Sequence, residues 1–170
     1  MQKSSQYWID QLEMEAHPEG GYFKEVYRSG EILPEDGLPE RYSSTRNIST
    51  SIYFLLKSDQ VSNFHRIASD ETWHFYAGSP LTIHLLEPEQ GYKKLLVGPD
   101  QDQGYRFQQT VPREVWFGAT VAATDSFTLV GCTVAPGFDF EDFELARREE
   151  LLREFPGQSE IITKLTNSGN

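Results

Sequence analysis

Short runs of apolar and β-branched residues, separated by turn signals, dominate the middle of the chain. Residues 49–56 read Ser-Thr-Ser-Ile-Tyr-Phe-Leu-Leu. Similar runs occupy residues 22–28, 61–67, 72–77, 81–86, 93–97, 105–109, 115–119 and 127–134. Gly78-Ser79-Pro80, residues 87–91 and Gly98-Pro99-Asp100 punctuate them. Strands at this spacing predict a sandwich or barrel and not βαβ units. The two ends carry a different period. Ser4 or Ser5 caps a predicted helix through Tyr7, Trp8 and Leu12 to about residue 15, with Trp8 and Leu12 on one face. Residues 139–155 place Phe140, Phe143, Leu145, Leu151 and Leu152 among Glu and Arg, which predicts one amphipathic helix stopped by Pro156-Gly157. A last short helix holds Ile161, Ile162 and Leu165. Residues 30–44 are polar, with Pro34, Gly37 and Pro39, and read as a surface loop.

The expected organisation is a single domain over residues 1–170. A barrel spans about residues 20–135 and C-terminal helices about 139–166. Apolar residues make up 38% and aromatic residues 13%, the composition of a globular chain. The formal net charge is −11. Nucleic acid and anionic membranes are therefore not expected partners, because both need clustered Lys and Arg. No apolar run approaches the length of a membrane span, and residues 1–6 lack a secretory core, so the expected location is the cytoplasm. The single cysteine, Cys132, allows no internal disulfide.

Candidate chemistry concentrates in residues 63–78, Asn-Phe-His-Arg-Ile-Ala-Ser-Asp-Glu-Thr-Trp-His-Phe-Tyr-Ala-Gly. Strand alternation puts Glu71, Trp73 and Phe75 on one face and Thr72, His74 and Tyr76 on the other. Trp73 and Phe75 belong in a core, so Glu71 points inward. A buried carboxylate needs a partner, and His65 on the neighbouring strand is the candidate. Such a pair could be a general-base dyad, with the carboxylate orienting the imidazole, or a structural pair. Arg46 and Arg66 could hold an anionic group of a ligand or form surface ion pairs. Tyr53 and Tyr76 could stack on a ligand or fill a core, and Trp116 could wall the pocket. His17 reads as a loop former and His84 as a structural histidine. Cys132, with no histidine nearby in sequence, is not expected to be a nucleophile.

The stretch resembles the first cupin motif, His-x-His, three or four residues, Glu, six residues, Gly. Here His65, Glu71 and Gly78 keep the spacing, and Ile67 stands in the second histidine's place. Pro112 to Phe117 resembles the second motif, with Phe117 in its histidine's place. The runs His17-Pro18-Glu19-Gly20-Gly21-Tyr22 and Cys132-Thr133-Val134-Ala135-Pro136-Gly137-Phe138 extend the resemblance to a small cupin subfamily without an assigned activity, distantly similar to dTDP-sugar epimerases. The resemblance implies an all-β double-stranded β-helix, a homodimer and one small-molecule pocket per barrel. It suggests an isomerase or epimerase acting on a sugar or nucleotide-sugar, with His65 as base and Glu71 as its orienting partner. The substrate-binding candidates are Arg46, Ser51, Tyr53, Arg66, His74, Tyr76 and Trp116. With two of the usual ligands replaced, no cofactor is expected. The alternatives are one divalent transition metal at His65, Glu71 and His74, and a non-catalytic ligand-binding or sensory module.

Overall fold

The computed structural model describes residues 3–167. The strands, in chain order, are β1 (Glu15–Ala16), β2 (Tyr22–Arg28), β3 (Ile32–Leu33), β4 (Arg46–Asn47), β5 (Thr50–Lys57), β6 (Ser62–Arg66) and β7 (Asp70–Gly78). They continue with β8 (Leu81–Glu87), β9 (Gly91–Val97), β10 (Gln108–Val111), β11 (Trp116–Val121), β12 (Phe127–Ala135) and β13 (Glu144–Leu145). The helices are α1 (Ser5–Gln11), α2 (Arg148–Glu154) and α3 (Ser159–Lys164).

Two antiparallel sheets face each other as a jelly roll, one in the order β1-β2-β5-β12-β7-β10 and the other β13-β6-β11-β8-β9. The alternation seen in the sequence sets the core between them. Phe54, Trp73, Ile83, Phe117 and Val130 point inward and are almost fully buried. Each such side chain contributes roughly 1.5–3 kcal/mol by leaving water. The helices cover outer faces. Leu151 of α2 and Ile162 of α3 pack on Phe64, Leu86 and Trp116 of the five-stranded sheet. Ile9 of α1 packs on Leu55, Phe127 and Leu129 of the six-stranded sheet.

Gly78 ends β7 at φ +90°, and a Cβ there would lie 2.1 Å from the Phe127 carbonyl oxygen. No other residue fits so close an approach in that conformation. Gly20, at φ +111°, is pressed against the residue before β6, where a Cβ would lie 2.2 Å from the Val61 carbonyl oxygen.

Two expected helices differ, the strand expected over residues 105–109 lies at Gln108–Val111, and the loop expected over residues 30–44 holds β3. The N-terminal helix is capped by the Ser4 side chain as expected but ends at Gln11, not near residue 15. The single helix expected over residues 139–155 is broken. Phe140–Asp142 is a 3₁₀ turn, β13 pairs with β6, and only Arg148–Glu154 is α-helical. Arg46 explains the break. Its guanidinium grips Asp142 through Nε and Nη2 at 2.7 and 2.6 Å. That fork holds the segment against the barrel while Phe138, Phe140 and Phe143 pack over its open end. The phenylalanine spacing resembles a helix face, but tertiary contacts override it.

Candidate functional site

One cavity enters the barrel between the two sheets, enclosing about 650 Å³ of space, part of it open to solvent. Its floor carries His65, Glu71, Trp73 and Cys132, and its walls include His17, Glu19, Phe23, Ile52 and Phe54. Arg28, Glu25, Phe138, Phe140 and Phe143 also line it.

Glu19 organises the polar end. It sits in the turn between β1 and β2. The two glycines that follow it, both at positive φ, let the chain lie close against the start of β6 at Gly20 and against β5 at Gly21. The Glu19 carbonyl accepts from both the backbone N–H (2.7 Å) and the side-chain amide (2.8 Å) of Asn63. Its carboxylate accepts from the Ser62 hydroxyl at 2.8 Å and lies 3.0 Å from His65 Nε2. Burial pushes the Glu19 pKa up, but the charge and hydrogen bond of His65, helped by His17 and Ser62, bring it below its ordinary value.

His65 is fully committed. Nδ1 lies 2.7 Å from the Asn63 carbonyl oxygen, which can only accept, so Nδ1 carries a proton. Nε2 faces the ionised Glu19. Both nitrogens therefore donate, and His65 is an imidazolium held between two acceptors. Its pKa agrees in direction: burial lowers it, but Glu19 and the Asn63 carbonyl raise it overall. His17 stands on the other side of Glu19, with Nδ1 3.4 Å from Oε2 and accepting from the Glu19 backbone N–H at 3.3 Å. Burial lowers its pKa and leaves it neutral near pH 7.

Glu71 has the opposite character. Burial, then the charge of Glu19, raises its pKa to about 7, and His65 only partly offsets this. The Trp73 indole and the Cys132 thiol come near enough to lower it slightly. Neither completes a hydrogen bond, and Trp73 Nε1 has no protein acceptor among the described residues. Burial also drives the Cys132 thiol well above its ordinary value, so it stays protonated and non-nucleophilic.

Of the residues expected at the site, His65 and Glu71 line the cavity. The expected pairing between them is corrected: the direct partner of His65 is Glu19, at 3.0 Å, and Glu71 acts on it only through its charge. Arg46 holds Asp142 and is 2% exposed, with no donor turned to the cavity. Ser51, Tyr53, His74 and Tyr76 lie on the outer face of the six-stranded sheet. Their inward neighbours are Ile52, Phe54, Trp73 and Phe75, and alternation turns them away. His74 there pairs with Thr133 at 3.1 Å, and Tyr76 leans over Gly131 against Tyr53. Arg66 pairs with Glu144 and stacks on Trp116, outside the five-stranded sheet beside the C-terminal helices. His84 is bonded to Tyr92 and Thr120, as suits a structural histidine.

The donor set does not suit the metal that a cupin barrel often holds. Ile67 and Phe117 offer no lone pair, both His65 nitrogens are spent, and His74 is on the far side of its sheet. Among the described residues no three His, Cys, Asp or Glu side chains are arranged to bind a metal ion.

A two-sheet jelly roll with one cavity between its sheets is the cupin architecture. The chain belongs to the Cupin_5 family, described as Cupin superfamily (DUF985), whose model matches residues 6–146. It is 31% identical over 163 residues to an uncharacterized protein of Saccharomyces cerevisiae, a match covering 91% of this chain and 81% of that one. Among solved structures, a Shewanella oneidensis protein superposes with a TM-score of 0.87 at 39% identity, covering 97% of this chain and 98% of the other. A hypothetical protein from Leishmania major gives 0.88 at 34% identity, covering 98% and 100%. No helix among the described residues is long and apolar enough to cross a membrane.

Proposed function

We propose that the cavity binds a small organic molecule and that Glu71 moves a proton on it, as in an isomerase or epimerase. One observation carries this reading. Of the three carboxyl groups lining the cavity, Glu19 and Glu25 are paired with cationic side chains, and Glu71 has only the Cys132 thiol and the Trp73 indole beside it. Two carboxyls whose surroundings push their pKa values apart divide the work of acid and base. Here ionised Glu19 fixes the His65 cation, and Glu71 titrates where proton transfer is useful. His65 cannot serve as the base with both nitrogens donating. Paired with Glu19, it fixes the polar end of the cavity beside Glu71.

The test starts from whatever molecule copurifies, identified by mass spectrometry and followed for isomerisation and deuterium uptake in D₂O. Glu71→Gln should slow turnover by at least about 100-fold, the usual contribution of one acid–base group. The wild-type rate should rise with pH through about 7 as Glu71 ionises. A bound molecule that neither isomerises nor exchanges would mark a binding module instead.

Two further readings accompany this one. The protein works without a transition metal, since the ligand places are apolar or occupied. Elemental analysis finding about one metal per chain, lost in His65→Ala, would overturn this. The protein is also a homodimer. The outer face of the six-stranded sheet presents Tyr27 and Tyr76 at 53% and 51% exposure beside Tyr53 and His74. Val26 and Phe107, equally exposed, adjoin it. A second copy would cover such a face by an isologous contact. Light scattering should give about twice 19.5 kDa. Tyr76→Glu should shift it to the monomer, and a wild type monomeric at micromolar concentration would reject the dimer.

A further inference from the structure

The distribution of charge in the cavity bears on what it can hold. Arg28 is the lining's one guanidinium or ammonium group. Its Nε and Nη2 grip Glu25 at 3.0 and 2.7 Å, and Nη1 serves Asn47 and the Phe138 carbonyl. The His65 cation is spent on Glu19 and Asn63. No lining cation is left to pair with a phosphate or carboxylate, while three carboxyl groups face the same space. An anion entering here would lose its water without finding a partner. A diphosphate, as in a nucleotide-sugar, fits poorly.

What the cavity does offer is ring surface and one unused donor. Phe138, Phe140 and Phe143 close its mouth, packed edge-on to one another at 5.0–6.4 Å. Their faces suit a flat ligand. On the floor, Trp73 is 1% exposed and its indole N–H has no acceptor among the described residues. A buried donor of this kind is rare and costly in a folded protein. Trp73 stands two residues from Glu71 on the inward face of β7, and its indole comes near enough to the Glu71 carboxyl to lower that group's pKa slightly, so donor and proton acceptor lie side by side at the cavity lining.

We propose that the ligand is a flat, uncharged, enolisable ketone whose carbonyl oxygen accepts from the Trp73 indole N–H while its ring lies among Phe138, Phe140 and Phe143. This rests on the reading of Glu71 as the proton carrier. The Glu71 carboxylate takes a proton from the carbon next to the carbonyl. That C–H bond breaks and the Glu71 O–H bond forms, the C–H electron pair becomes the C=C bond of the enolate, and the carbonyl π pair moves onto the oxygen. The Trp73 N–H strengthens its hold as charge grows there. Return of the proton from Glu71 to a conjugated carbon on the same face restores the carboxylate and releases the isomer. The step balances without a co-reactant.

Three probes test the ligand class by ligand-observed NMR: 2-indanone, indane (the same ring system without oxygen) and thymidine diphosphate. The wild type should bind 2-indanone at least tenfold more tightly than either of the others, and this arm needs no variant. Trp73→Phe, checked for folding by its thermal melt, should weaken 2-indanone about tenfold and leave indane unchanged. Deuterium uptake by 2-indanone in D₂O should exceed the protein-free rate and fall at least 100-fold in Glu71→Gln, with binding kept within about threefold. Indane binding as well as 2-indanone, or thymidine diphosphate binding more tightly, would overturn the ligand class. Binding as expected with no uptake above background would uphold the ligand class and reject proton transfer by Glu71.

Discussion

Glu71→Gln is expected to stabilise the protein above neutral pH and to change it little in acid. An ordinary glutamate titrates at 4.5, and in the fold Glu71 titrates at about 7. As pH rises past 4.5 the unfolded chain gives up this proton, while the folded chain keeps it until about 7. Folding stability is therefore fully present below 4.5, falls between 4.5 and 7, and stays low above that. The shift corresponds to roughly 3 kcal/mol lost on the alkaline side, at about 1.4 kcal/mol per pH unit. Glutamine has the same shape and no charge to bury. At pH 8 the variant should melt roughly 6–12 °C above the wild type, using about 2–4 °C per kcal/mol for a chain of this size. At pH 4 the two melts should nearly coincide. Equal melts at pH 8 would show that Glu71 is not held protonated by the fold. A stabilised variant with lost turnover would be the trade expected of a group kept for chemistry and not for the fold.

Much of this site was legible before the fold. His65 and Glu71 stand out in residues 63–78, and both line the cavity. The alternation that sends Glu71 inward with Trp73 also sends Ser51 and Tyr53 outward, because Ile52 and Phe54 must be buried. That rule was available in the sequence for β5 and would have removed two candidate ligand contacts. Arg46 was ambiguous for a different reason. Its partner, Asp142, is 96 residues away, and the grip exists only once the 138–145 segment folds back. Glu19 was the main omission, and His17 was read only as a loop former. The contacts of Glu19 with Ser62 and His65 cross more than 40 residues, and periodicity reports nothing at that range. A trace was present all the same. His17 and Glu19 precede two adjacent glycines, and glycine is the residue that tolerates positive φ and close backbone approach. A glycine pair that bends the chain against a neighbouring strand brings the residues before it to that strand.

Glu19→Ala is expected to cost about 3–5 kcal/mol, the effect of removing one partner from a buried ion pair. The loss leaves the Ser62 hydroxyl without its acceptor and His65 Nε2 without a counter-charge. Burial, the largest influence on His65, then acts with less opposition and drives the ring toward its neutral form. Glu19→Gln should be much milder. A neutral His65 keeps Nδ1–H on the Asn63 carbonyl, its Nε2 can accept from the new amide, and the amide oxygen can still accept from Ser62. The predicted order of stability at pH 7 is wild type, then Gln, then Ala, read from urea midpoints at constant m-value. His65→Phe isolates the pair, since a ring at this position already packs 4.1 Å from Phe117 and 5.3 Å from Phe143, centroid to centroid. The double variant with Glu19→Ala should then lose less than the two single losses added together, because neither member is left alone. An additive cycle, or a Glu19→Ala loss under about 1 kcal/mol, would mean that the His65–Glu19 contact does not carry a charge at neutral pH, and that His65 keeps a nitrogen free to act as a base.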